Sequence, residues 1–96
     1  MAQKVSSELR PGDVVGAWGM RVKLNEVSST EDYQNAEGLR REGKDPRVFW
    51  SVGTVLNLEE VLNHGLVPRG WMGTDKDGNP TWQIQGNDRA TWNVED

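Results

Sequence analysis

Cysteine is absent from the chain. That removes disulfides, thiolate metal ligands and a thiol nucleophile together, and it fits a reducing compartment. Histidine is nearly absent as well: His64 stands alone, and tetrahedral zinc sites need several nitrogen or sulfur ligands. As a general base, His64 would need a nucleophile and an orienting acid. Ser51 or Thr54 could fold near it, but no nucleophile-elbow pattern is present. Beside Gly65, a histidine suits a helix C-terminus, where a cation complements the dipole. No apolar run approaches the roughly 18 residues of a spanning helix, and no apolar signal-peptide region opens the chain. Basic residues are in deficit, 11 against 15 acidic, for a formal charge of −4. That disfavours a general phosphate-backbone binder while leaving room for a local basic face. Phosphate-cradling glycine-rich motifs are absent too. These exclusions point to a cytoplasmic, cofactor-free, metal-free, non-enzymatic protein.

What the 96 residues do contain is tryptophan, five of them, beside only 20 Leu, Ile, Val and Phe residues. So few aliphatic residues place the chain just above the composition of disordered proteins. Each tryptophan buries about 150–250 Å², so the indoles must make up the core. Three or four are expected inside, leaving one or two as candidate contacts. The length suits one small domain.

The organising stretch is Thr81–Val94. Apolar and polar residues alternate on both sides of Gly86-Asn87-Asp88, as in a β-hairpin. Folded about Asp88, Trp82 faces Val94 and Ile84 faces Trp92. All four then lie on one face, because strand side chains alternate. Upstream, residues 1–9 are polar and expected to fray. Pro11-Gly12 marks a turn. A first strand follows at Asp13–Trp18, with Gly16 and Gly19 suited to a bend or bulge, and a second begins at Met20, alternates through Val22 and Leu24, and is expected to end at Val27. Residues 28–46 carry only Tyr33 and Leu39 as large apolar groups and are expected to be a long, mobile, polar loop. Arg47–Val52 is a third strand, apolar at Val48, Trp50 and Val52, and Gly53–Leu56 continues it or starts another. Asn57, Glu60, Leu56 and Val61 stand at the cap, capping-box and staple positions of a helix over 58–64. Its expected apolar face is Leu58, Val61 and Leu62, ended by Gly65 with Pro68 beyond. Five or six short strands with one short helix predict a mostly β domain. Its expected form is a small antiparallel barrel or sandwich, SH3-like in size, with 10–27 and 47–95 as its core.

Several motifs invite sharper readings. Asp75-Lys76-Asp77-Gly78-Asn79 begins like a calcium loop but fails at Pro80 and Gly86, where glycine and glutamate are needed. A hairpin turn is expected there. Gly16–Gly19 and Gly70–Gly73 match the frame of a nucleic-acid clamping loop, without the basic residues between. Leu66–Gly70 matches a thrombin cleavage sequence. Arg40, Arg41, Lys44 and Arg47 are interleaved with Glu37, Glu42 and Asp45, which reads as a self-compensating surface. Interfaces draw most of their affinity from a few aromatic and arginine residues. The candidate partner contacts are therefore Tyr33, Leu39, Arg40 and Arg41 in the loop, with Arg69 and Trp71 after the helix.

The motifs Gly12–Val15, Arg21–Val27, Gly53–Val61 and Gln85–Glu95, the last the most specific, resemble a family of small actinobacteriophage proteins without an established activity. The likeness covers most of the chain, excluding residues 28–46 and the N-terminal tail. It implies a bacterial host cytoplasm and engagement of a host or phage protein, with no catalytic residues to transfer. Nucleic-acid binding by a small barrel, using the same arginines and an exposed tryptophan, is the alternative.

Overall fold

The computed structural model describes residues 2–17, 19–63 and 73–95. Its elements run β1 (Ala2–Val5), a 3-10 turn (Ser6–Glu8), β2 (Val14–Ala17), β3 (Met20–Lys23), β4 (Ser28–Glu31) and α1 (Ala36–Arg41). They continue through β5 (Arg47–Val55), α2 (Leu58–Asn63), β6 (Thr81–Gly86) and β7 (Thr91–Val94). Among the described residues the seven strands form one antiparallel sheet in the order β1-β7-β2-β3-β5. On one edge β5 meets β3 and then β4, and on the other it meets β6. The sheet is not closed. It is mostly β, as expected, with two short α-helices among the described residues rather than one.

Alternation explains the core. Val15, Val22 and Ile84 point to one side from three strands and meet Leu24, Val55, Val61 and Val94 in a single cluster. Each such side chain contributes about 1.5–3 kcal/mol of gross burial. Trp82 and Trp92 are half-buried and pack against this cluster. Trp50, the other described indole, is half-buried as well.

The terminal hairpin does not form as expected. Its four apolar residues do turn to the core, but β6 and β7 are not ladder partners. β6 pairs with β5, and Trp82 lies opposite Gly53 rather than Val94. β7 has two edges, and β1 and β2 occupy both, with Val94 opposite Ala2 on one and Val15 on the other. The turn between β6 and β7, closed by the Ala90 N–H donating to the Asn87 carbonyl at 3.0 Å, is therefore a corner.

The N-terminal residues, expected to fray, make that corner. The Ser6 hydroxyl donates to the Asn87 carbonyl at 2.7 Å and accepts from the Trp92 indole N–H at 3.0 Å. The Ser7 N–H and hydroxyl both donate to the Asp88 carboxylate at 2.7 Å. Leu9 enters the core.

Two further expectations change. In β5 the core side takes Phe49, Ser51, Gly53 and Val55, so Val48, Trp50 and Val52 face outward. Crowding at Gly53 explains this. A Cβ there would lie 2.4 Å from Val22 Cγ1 and 2.8 Å from the Lys23 carbonyl oxygen, so no side chain fits inward at that position. At α2 only Val61 is buried. Leu56 and Leu62 are 43% and 47% exposed, so the staple and the apolar face are not assembled. Asn57 Oδ1 accepts from the Arg21 N–H at 2.8 Å, and its Nδ2 donates to the Gly19 carbonyl at 3.0 Å. The side chain thus fastens the helix start to the β2–β3 turn.

Substituting Gly53→Ala is expected to destabilise the fold by about 1–3 kcal/mol through overpacking, measured by denaturant unfolding. An unchanged midpoint would contradict the close contact. The buried Ser51 hydroxyl has no hydrogen-bond partner among the described residues. Ser51→Ala is accordingly expected to be neutral or to stabilise by about 1 kcal/mol, and a clear loss of stability would show that the hydroxyl is bonded.

Candidate functional site

Residues 28–46 are folded rather than loose. β4 pairs with β5 from Ser28↔Trp50 to Glu31↔Arg47, and α1 follows. Local hydrogen bonds direct this. The Asp32 N–H donates to the Pro46 carbonyl at 2.9 Å, and the Asp32 carbonyl accepts from Ala36 at 2.7 Å. The Asp32 carboxylate accepts from Asn35 Nδ2 at 3.1 Å and, across the chain, from Asn87 Nδ2 at 3.0 Å. At the far end of α1, Glu42 accepts from Arg89 Nε at 3.1 Å. Arg89 reaches it by lying against Gly38, where a Cβ would meet its Nη2 at 2.8 Å. The β6–β7 corner thus grips α1 at both ends.

This frame decides the fate of the predicted contacts. Tyr33 is 82% exposed at the entry to α1. Leu39 is 0% exposed and belongs to the buried set, so it is not available to a partner. Burial of Ala36 and Leu39 under α1 is what replaces a mobile loop with a helix. Arg40 pairs with Glu31 and Arg41 with Glu37, both outward on the helix. Lys44 pairs with Glu42 at 3.2 Å and Arg47 with Asp45 at 2.8 Å, so the basic group is self-compensated, as its spacing predicts. Arg69 and Trp71 lie outside the described residues, as do His64, Gly65, Pro68 and the Leu66–Gly70 match.

A second surface was missed by sequence reasoning. The outward side chains of β5 floor an open groove of about 950 Å³. Trp50 and Val52 line it, Leu56 continues the apolar row, and the loop 74–79 forms a wall. That loop is the expected turn. Asp75 Oδ1 accepts from the Asp77 and Asn79 N–H groups at 2.9 Å, and Oδ2 accepts from the Thr54 hydroxyl at 2.9 Å. No group of three or more His, Cys, Asp and Glu among the described residues is arranged to hold a metal ion. No helix among them is long and apolar enough to cross a membrane. The signal for the groove was apolar character at both parities of β5, Phe49 and Val55 on one and Val48, Trp50 and Val52 on the other.

The grip on α1 runs through two carboxylates, Asp32 and Glu42, and is therefore pH-dependent. Hydrogen bonds from Asn87 and Asn35 hold the Asp32 carboxyl below its usual pKa. Hydrogen bonds from Arg89 and Lys44 do the same for Glu42. A lowered folded pKa adds stability that is complete above the unfolded value near 4 and is lost as pH falls through the folded one. Amide exchange protection of α1 is therefore expected to hold at neutral pH and to fall below about pH 4. Asn87→Ala is expected to raise the Asp32 pKa, read from carboxyl chemical shifts, and an unmoved titration would contradict the assignment.

No protein-family model matches the chain, and comparisons with curated proteins and with solved structures return no match.

Proposed function

We propose that the protein is a non-enzymatic binding module, phage-encoded, that engages a host or phage protein in the bacterial cytoplasm through Tyr33 and the surface of α1. The observation that carries this is a tyrosine 82% exposed on an ordered frame. Tyrosine supplies a large amphipathic contact with few rotatable bonds. Here it follows Asp32, whose backbone and carboxylate are both tied down. A contact presented this way loses little conformational freedom on binding. The exposed Arg40–Glu31 and Arg41–Glu37 pairs supply a polar rim. They also weaken the nucleic-acid alternative, because each arginine already has its carboxylate.

Because residues 28–46 form β4 and α1 rather than the expected mobile loop, the contact is preorganised. The bacteriophage part of the proposal rests on the motif resemblance, and the cytoplasmic part on that resemblance together with the absence of cysteine.

A photo-crosslinking residue placed at Tyr33 is expected to capture one discrete protein from host cells. Tyr33→Ala is expected to weaken binding of that protein by about tenfold or more, as for an interface hot spot, with an unchanged melting temperature. Capture that persists undiminished with Tyr33→Ala would move the contact elsewhere. Steeply salt-dependent retention on single-stranded nucleic acid would favour the alternative.

A further inference from the structure

The outer face of β5 has a chemistry distinct from that of the Tyr33 surface. Its rows follow from the register. Trp50 lies between Ser28 on β4 and Gln85 on β6, and Val52 lies opposite Gln83. On the other side of Val52, Asn25 reaches over so that its Nδ2 donates to the Val52 carbonyl at 3.0 Å. A half-buried indole thus runs down the middle, and primary amides and a hydroxyl flank it on both sides. The Trp50 indole N–H has no partner among the described residues. Gln83 Nε2 donates to Gln85 Oε1 at 3.2 Å, which joins the two amides and leaves the Gln83 oxygen and the Gln85 NH₂ uncommitted among the described residues.

Charge in the groove nearly cancels. Lys23 and Lys76 stand against Glu26, Asp75 and Asp77, and the Asp75 carboxylate is already committed to its own turn and to Thr54. A polyanion gains nothing from such a lining. Amides offer paired donors and acceptors in one plane, which suits vicinal hydroxyls. An indole offers a broad apolar plate with a donor at its edge, which suits the C–H face of a sugar ring. The apolar floor is only a single row wide, whereas protein hot spots sit in well-packed, water-excluding surroundings.

From these features we infer that the groove across Trp50 binds a neutral saccharide chain, with the indole under a pyranose ring, Asn25 of the groove lining on its hydroxyls, and Gln83 and Gln85 reaching it from beyond the groove's edge on the neighbouring strand β6. This site is separate from the Tyr33 contact and does not depend on it. The groove runs from Leu56 to Trp50, roughly 20 Å at about 3.3 Å per residue.

The test is titration of the isotope-labelled full chain with cello-, chito- and malto-oligosaccharides and, separately, with an oligothymidylate, followed by amide and indole N–H correlation spectra. The Trp50 indole signal is assigned with Trp50→Phe. At least one oligosaccharide is expected to shift that signal together with the side-chain NH₂ groups of Asn25, Gln83 and Gln85, with affinity unchanged by added salt. Trp50→Ala is expected to raise the dissociation constant about tenfold or more. Gln85→Ala is expected to weaken binding severalfold while leaving the melting temperature unchanged, so the inference stays testable if Trp50→Ala fails to fold. Absence of any shift with all three sugars, shifts confined to other indoles, or a response only to the oligothymidylate that disappears with salt would each overturn it.

Discussion

The Ser6 hydroxyl stands where three parts of the chain meet. It donates to the Asn87 carbonyl and receives the Trp92 indole N–H, while Ser7 beside it holds the Asp88 carboxylate. With Ser6 only 1% exposed, these bonds form away from water, where an unmet polar group is costly. Their geometric effect is large. They set the direction of the N-terminal residues so that β1 runs along β7, and β1 and β2 together occupy both edges of β7. β6 is thereby excluded from β7 and pairs with β5. The open, single-sheet topology follows from that constraint.

The same corner carries the second layer of organisation. Asn87 and Arg89 leave it to hold Asp32 and Glu42 at opposite ends of α1. Once α1 is seated, Leu39 is buried and Tyr33 is left in water. The binding surface proposed around Tyr33 is thus a by-product of how the corner is satisfied, and its rigidity has the same origin. Carboxylates in this region are engaged in positioning backbone and arginine groups. That engagement is coherent with a structural role for the charges.

On the far side, β5 serves two faces at once. Its inward positions are Phe49, Ser51, Gly53 and Val55, with glycine standing where Val22 and Lys23 crowd the strand. Its outward positions carry an indole and valines that nothing among the described residues covers fully; Val52 is 37% exposed. A strand in a sheet with one face in water usually alternates apolar with polar. β5 breaks that rule on its outer face, and the groove with its amide flanks is the place where the break is put to use.

Local chemistry in the sequence was enough to specify several things. The strands at 14–17, 20–23 and 47–55, the Asp75–Asn79 turn and the self-neutralised basic group each depend on neighbours within a few residues. Which residues of the terminal stretch turn inward was legible too, since a period of two needs no partner. Pairing was not legible. Polar residues at positions 2–8 carry no alternation, and their role as strand and clasp arises from bonds to Asn87, Asp88 and Trp92, more than 80 residues away. The orientation of β5 was equally hidden, because both parities are apolar and only the approach of Val22 and Lys23 to Gly53 decides between them. Residues 28–46 look like solvent-loving loop because their two large apolar groups are widely spaced. Only the tertiary grip on Asp32 and Glu42 makes it worthwhile to bury Leu39 and leave Tyr33 outside.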